Sequence, residues 1–157
     1  MIINNTRDTS TTASTVTVTQ TPAAAPTQNP LALPDADRQT CRAWSAAGKS
    51  IQAATAAQAV IPERMTILDP AVRANPEWKA GVLKAAELYE QAADTLGQGI
   101  APGTTSILEQ AADAAVPALR LTATGYKTFD EANGNAYHVM KESADTMDAL
   151  CNRLAPK

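Results

Sequence analysis

Apolar residues recur at steps of three and four along four segments of the chain, which is the spacing of amphipathic α-helices. The segments cover about residues 35–60, 75–96, 105–129 and 136–154. The residues that share the four apolar faces are Cys41, Trp44, Gly48, Ile51 and Thr55; Trp78, Val82, Ala85, Tyr89, Ala92 and Leu96; Leu108, Ala112, Ala115, Leu119, Thr122, Tyr126 and Phe129; and Met140, Ala144, Met147, Cys151 and Leu154. The pattern predicts an all-α fold, with the four helices forming an up-down-up-down four-helix bundle.

Capping and turn residues indicate where these helices begin and end. Asn75 is a good N-cap in front of Pro76, and Gly97 and Gly99 should stop the same helix. Residues 106–109 have the form of a capping box, and residues 133–135 (Asn-Gly-Asn) predict a turn before the last helix. The sequence leaves open whether the last two helices are separate or form one long bent helix.

The connector at 61–75 joins the first two predicted helices and is unusually apolar for a loop. Pro62, Pro70 and Pro76 prevent a long helix there, although residues 69–72 suit a single helical turn. Such a loop should pack onto the bundle or onto another molecule. We predict that it forms a partner-binding surface, and its candidate contact residues are Ile61, Met65, Ile67, Leu68 and Val72.

Residues 1–33 differ in composition from the remainder, being rich first in threonine and then in proline. The alternating segment 15–19 resembles a strand but has no partner strand, so it cannot offset the entropy cost of becoming ordered. We therefore predict a disordered Thr/Pro-rich stalk at 1–33, with a plain disordered terminus as the alternative, and a four-helix domain at 34–157.

Composition narrows the function classes. Hydrophobic residues make up 45% of the chain but aromatic residues only 4%, since most of the apolar content is alanine, so the core should be thin. The net charge of −3 comes from interspersed charges, which argues against nucleic acid as a partner because that requires a concentrated basic face. No run approaches the ~20 apolar residues of a membrane span. Any membrane association would therefore depend on an upstream anchor missing from this chain.

The two cysteines provide a test of the topology. Cys41 is early in the first predicted helix and Cys151 late in the last, and both lie on apolar faces. In an up-down-up-down bundle these helix ends meet, which predicts a disulfide that closes nearly the whole domain. Two buried free thiols are the alternative. A disulfide would place the domain in an oxidising compartment, in the cell envelope or secreted.

Three segments of the chain carry a resemblance to a known class of protein. They are the Thr/Val/Pro-rich segment 15–22, the Cys-Arg-Ala-Trp sequence at 41–44 that opens the helical domain, and the Met-Asp-Ala-Leu-Cys sequence at 147–151 that closes it. Together they resemble the extracytoplasmic, stalk-borne, alanine-rich helical domains of mycobacterial and related actinobacterial membrane proteins of unknown function. The resemblance covers nearly the whole chain through composition. It implies an extracytoplasmic, membrane-associated location in the cell envelope and no catalytic residues.

Residues 126–133 carry a second, local resemblance. Their Tyr-x-x-x-Asp spacing, from Tyr126 to Asp130, is similar to the export signal in the C-terminal helix of small type VII secretion substrates. The Trp-x-Gly turn of those substrates is absent, because Ser45 and Ala46 follow Trp44. The alternative is that Tyr126 and Phe129 are core residues and that Asp130 is on the surface.

The sequence contains few residues that could form a catalytic or metal-binding site. His138 is the one histidine, and an acid–base site would require a carboxylate or a nucleophile fixed beside it. We therefore predict no catalytic residue, no metal site and no cofactor; a hydrolase would require an exposed cluster of His138 with two carboxylates in a cleft. The expected function is a non-enzymatic extracytoplasmic interaction module with a protein partner. The alternative is a carrier of a small apolar ligand or lipid between the helices.

Overall fold

A computed structural model describes residues 33–156. They form five α-helices: α1 (Leu33–Ala57), α2 (Pro70–Ala74), α3 (Pro76–Gly99), α4 (Ser106–Thr128) and α5 (Asn133–Leu154). No strand occurs within this part of the chain, which confirms the all-α class. The predicted stalk, up to residue 32, lies outside the described residues.

The connector between α1 and α3 contains little regular secondary structure, but hydrogen bonds and a buried side chain hold it in place. Three turn residues, 58–60, follow the end of α1, and the Asp69 carboxylate accepts the Thr66 N–H at 2.7 Å. The predicted helical turn is present as α2, whose Val72 is fully buried. Asn75 caps α3 as predicted, because its side-chain oxygen accepts the N–H groups of Glu77 and Trp78, at 2.9 and 3.2 Å.

One predicted helix signal is confirmed and another is wrong at the junction of α3 and α4. The helix α3 ends at Gly99, the second of the two glycines predicted to stop it, where a Cβ would collide with Ala43 of α1. The capping box at 106–109 is absent: Thr105 is the N-cap, and its side chain makes no capping bond. A long-range contact displaces the local one, since the Thr105 hydroxyl donates to the Asp37 carboxylate of α1 at 2.7 Å.

The turn between α4 and α5 lies earlier than predicted. Phe129 takes the left-handed conformation (φ 52°) that ends α4, and the Asp130 N–H donates to the Gly125 carbonyl at 3.0 Å. Residues 133–135, predicted as the turn, instead begin α5. The Asp130 carboxylate accepts the Ala132 N–H at 2.8 Å and so forms the turn itself. The last two helices are therefore separate.

Alanine makes the core thin, as the composition predicts. Seven alanines of the long helices are completely buried beside a few larger side chains; these alanines are Ala36, Ala47, Ala54, Ala85, Ala92, Ala93 and Ala112. The backbones approach closely as a result: a Cβ on Gly81 would stand 2.6 Å from the carbonyl oxygen of Ala57. Among the long helices, α1 packs on α3, α3 on α4, α4 on α5, and α5 more sparsely on α1.

Candidate functional site

The molecule has a closely linked end, where the beginning of α1, the α3–α4 loop and the end of α5 meet; we call it the disulfide end. Cys41 and Cys151 are joined there with their Cα atoms 5.5 Å apart, which confirms the predicted disulfide. One turn along, the Trp44 indole N–H donates to Asp148 at 2.7 Å. These two links reinforce the otherwise sparse packing of α5 on α1.

Buried polar side chains fix the α3–α4 loop to α1 at this end. Asp37 is only 4% exposed, and its carboxylate accepts both the N–H and the hydroxyl of Thr105, each at 2.7 Å. Thr40 accepts the Ala101 N–H at 3.0 Å and lies 2.7 Å from the Thr104 hydroxyl, which donates to the Ala101 carbonyl. Thr40 must therefore donate to Thr104, which completes a closed ring of hydrogen bonds with every donor used.

The other end of α1 lies about 24 Å away, at ~1.5 Å per helical residue. There the connector, the end of α4 and the beginning of α5 surround an open cleft of about 420 Å³, which we call the connector cleft. This volume falls within the ~300–1,000 Å³ range of small-ligand sites. Its lining consists of Gln58, Ile61, Pro62, Glu63, Met65, Thr66, Ile67, Leu68, Tyr126, Glu131, Asn133, Gly134, Tyr137 and His138.

Four of the five predicted partner-binding residues line this cleft: Ile61, Met65, Ile67 and Leu68. Met65 is the most accessible of them at 36%, Ile61 and Leu68 are partly buried against the core, and Ile67 is 8% exposed. Val72 is fully buried and does not line the cleft. The loop therefore packs onto the bundle and still presents an apolar wall.

Polar side chains from three other elements form the opposite wall. Gln58 follows α1, Tyr126 comes from the last turn of α4, and Asn133 begins α5. Asn133 is 7% exposed, and its Oδ1 is the one buried side-chain oxygen in the described chain that accepts no hydrogen bond. A buried acceptor without a partner costs roughly 1–3 kcal/mol, so it is uncommon in a folded protein.

Tyr126 connects the cleft to the core. Its ring contacts that of Tyr89 edge to face, with the centroids 5.4 Å apart. Burial raises the pKa of Tyr126, while the polar side chains of Gln58 and Asn133 act in the opposite direction. Burial also raises the pKa of Tyr89, and the neighbouring Tyr126 adds to this effect. Both hydroxyls are therefore neutral donors at physiological pH.

The connector cleft and the disulfide end carry opposite charges. The carboxylates of Glu63 and Glu131 line the cleft, and no lysine or arginine does. At the disulfide end, a groove of about 740 Å³ between α1 and α5 is lined by Arg38, Arg42 and Lys49. Its one carboxylate, that of Asp148, is already bonded to Trp44.

His138 lies in the connector cleft, in contact with Tyr137 at a ring-centroid distance of 6.4 Å. The cleft thus contains the histidine and the two carboxylates that the sequence analysis required of a hydrolase. Within the described chain, however, no hydrogen bond or ion pair joins the imidazole to Glu63 or Glu131. Neither carboxylate therefore orients the imidazole in this structure.

Sequence reasoning missed the polar wall because its members come from separate elements and only the folded chain brings them together. One signal was present: Tyr137, His138 and Val139 are consecutive and bulky, and all three are exposed near the start of α5. Tyr126, read either as core or as part of an export signal, is 5% exposed, and Phe129 is partly buried against the core.

The described residues contain neither a metal site nor a membrane-spanning helix. Within residues 33–156, no three potential ligand side chains come together as a metal site, and no helix is long and apolar enough to cross a membrane. Comparison with protein-family models, curated proteins and solved structures gives no match for this chain.

Proposed function

We propose that this chain is a non-enzymatic, extracytoplasmic interaction module of the cell envelope that binds a partner protein in the connector cleft. The observation that carries the proposal is the cleft itself, which combines the apolar wall of Ile61 and Leu68 with a polar wall and an accessible Met65. Apolar anchors beside a few fixed polar groups are typical of recognition sites.

The proposed architecture is an up-down-up-down bundle of the four long helices. Close approaches between helix ends support it: the beginning of α3 (Gly81) lies near the end of α1 (Ala57), and the end of α3 (Gly99) near the beginning of α1 (Ala43). The Cys41–Cys151 bond likewise joins the beginning of α1 to the end of α5. Antiparallel neighbours of this kind give a bundle with short connections.

The disulfide supports the proposed location. Disulfides persist in oxidising compartments and are rare where glutathione and thioredoxin keep thiols reduced. The Cys41–Cys151 bond closes a loop spanning 110 residues, and it can stabilise the fold only in a compartment where it stays oxidised. We therefore place the domain in the cell envelope or outside the cell.

Two other functions receive less support from the same cleft. A carrier of a purely apolar ligand would leave Gln58, Asn133 and both carboxylates facing a ligand with no polar groups. A hydrolase is favoured by the presence of His138 with Glu63 and Glu131, but neither carboxylate orients the imidazole. His138→Ala tests the hydrolase, since it would abolish a hydrolytic activity.

Site-specific photo-crosslinking in the native host tests the proposal. A photoreactive amino acid replaces Met65 in the cleft, and the matched control carries it at Ile107, which is 58% exposed on α4 and does not line the cleft. We expect one discrete cross-linked protein from position 65 and none from position 107.

Competition makes this experiment decisive. Excess unlabelled protein should suppress the cross-link at position 65, whereas excess Leu68→Asp protein of unchanged thermal stability should not. Equal cross-linking from both positions, or full suppression by the Leu68 variant, would contradict a docking role for the cleft. Maleimide labelling in the same cells tests the location. We expect neither cysteine to react with maleimide until a reductant opens the disulfide.

A further inference from the structure

We infer that the connector cleft recognises a long basic side chain, a lysine or an arginine, on a segment of the partner protein. This inference rests on the proposed function and specifies its ligand. It is drawn from the joint placement of two carboxylates, an exposed phenol ring, an apolar wall and a buried, unpaired acceptor around a cleft that no lysine or arginine lines.

Charge complementarity is the first argument. Glu63 and Glu131 are both exposed at the cleft and free of ion pairs in the described chain, so they are available to a ligand. The beginning of α5 contributes about half a positive charge. Two full negative charges exceed it, and Asp130 just before the helix adds to them. The cleft therefore favours cations and disfavours anions.

The shape and chemistry of the walls are the second argument. A lysine or arginine side chain has an aliphatic stem of three or four methylenes, which packs on apolar surface while its charged group remains near polar atoms. Ile61, Met65 and Leu68 offer that surface. Tyr137, which is 39% exposed, adds an aromatic ring, and such rings attract cations at close range. A short or purely polar ligand would use only one of the two walls.

Asn133 is the third, independent argument. Its Oδ1 is buried without a partner and packs against α4, where a Cβ on Gly125 would stand 2.7 Å away. The amide lies beside Tyr126, which lines the same cleft. Half a turn of the amide, which exchanges its oxygen with its nitrogen, would turn the oxygen from α4 toward Tyr126 and the cleft, where an ammonium or guanidinium group can donate to it.

A titration of ¹⁵N-labelled, oxidised protein with small probes tests the inference. The cationic probe is Nα-acetyl-lysine-N-methylamide, the neutral probe of similar shape is Nα-acetyl-norleucine-N-methylamide, and the anionic probe is the glutamate analogue. We expect the lysine probe to shift the resonances of the cleft residues, including Asn133, at concentrations about tenfold below those at which the neutral probe does. The glutamate probe should not shift them.

Charge-removing variants complete the test. Glu63→Gln and Glu131→Gln should each weaken binding of the lysine probe by about threefold, as expected for partly solvated ion pairs. The matched control Glu109→Gln alters an exposed carboxylate on α4 outside the cleft and should have no effect. Equal binding of the lysine and norleucine probes, or lysine-induced shifts confined to the groove between α1 and α5, would overturn the inference.

The outcomes also separate this inference from the proposed function. A cross-link at position 65 without any preference for the lysine probe would overturn the basic side chain and leave the interaction module standing. A clear lysine preference without any cross-linked protein would support the cation site and count against the module.

Discussion

The two ends of this molecule achieve order in different ways. At the disulfide end, a covalent bond, a buried carboxylate and a closed ring of hydrogen bonds join three chain segments, and every polar group named there has a partner. At the connector cleft, no covalent bond joins the segments, and Asn133 has a buried oxygen without a partner. Stability is thus concentrated at one end, which leaves the other end free for recognition.

Loss of the disulfide should have the largest effect. The Cys41→Ser/Cys151→Ser double variant should lose about 4–5 kcal/mol of unfolding free energy, because the bond closes a loop spanning 110 residues. Urea unfolding of the oxidised wild type and the variant measures the difference. A loss below about 1 kcal/mol would show that the disulfide end does not carry the stability assigned to it.

Removal of the buried carboxylate should have the next largest effect. Asp37→Ala leaves the N–H and the hydroxyl of Thr105 without their acceptor, so we expect a loss of about 2–4 kcal/mol. The matched control is Asp35→Ala, two residues earlier in the same helix, whose exposed ion pair with Arg38 should contribute less than about 1 kcal/mol. Equal losses from the two variants would refute the role of Asp37.

Overpacking tests the close backbone approach near the other end of α1. Gly81→Ala places a methyl group 2.6 Å from the Ala57 carbonyl oxygen, and backbone cannot yield easily, so we expect a loss of about 1–3 kcal/mol. Gly48→Ala, in the middle of α1 with nothing within 4 Å, should instead gain about 0.5–1 kcal/mol from helix propensity. Thermal unfolding should therefore move in opposite directions for the two variants.

Alkaline pH should lower the free energy of unfolding, because two tyrosines are buried in the core. Burial holds the pKa values of Tyr89 and Tyr126 above their ordinary value of 10.0, so the unfolded chain loses these protons first as pH rises. Their contribution to the free energy of unfolding is complete below that pH and declines above it, by about 1–2 kcal/mol at roughly pH 11. Urea unfolding at several pH values measures the decline. It should be smaller in Tyr126→Phe, and an unchanged decline would contradict the assignment.

The sequence predicted the parts of this molecule that depend on local pattern. The helical class follows from periodic apolar positions, the α3 N-cap from Asn75, and the disulfide from the placement of Cys41 and Cys151. The Asp37–Thr105 and Thr40–Thr104 contacts were not predictable in this way, because partners more than 60 residues apart leave no local signal.

The misplaced turn after α4 has a related cause. Phe129 adopts a left-handed conformation that bulky residues rarely take, while the Asn-Gly-Asn sequence at 133–135, a typical turn, is helical. Tertiary packing explains the reversal, since Asn133 packs against Gly125 and the Thr122 hydroxyl donates to the Ala136 carbonyl at 3.2 Å. The same packing places the polar wall of the connector cleft.

Hydrogen exchange of the oxidised protein, with and without the lysine probe, tests most directly the claim that one end stabilises and the other binds. Without the probe, the loop amides of Ala101 and Thr105 should exchange slowly because they donate to Thr40 and Asp37. The probe should slow exchange in residues 61–75 and at the start of α5 and leave those loop amides unchanged. Fast exchange at Ala101 and Thr105, or probe protection confined to the disulfide end, would contradict this division of the molecule.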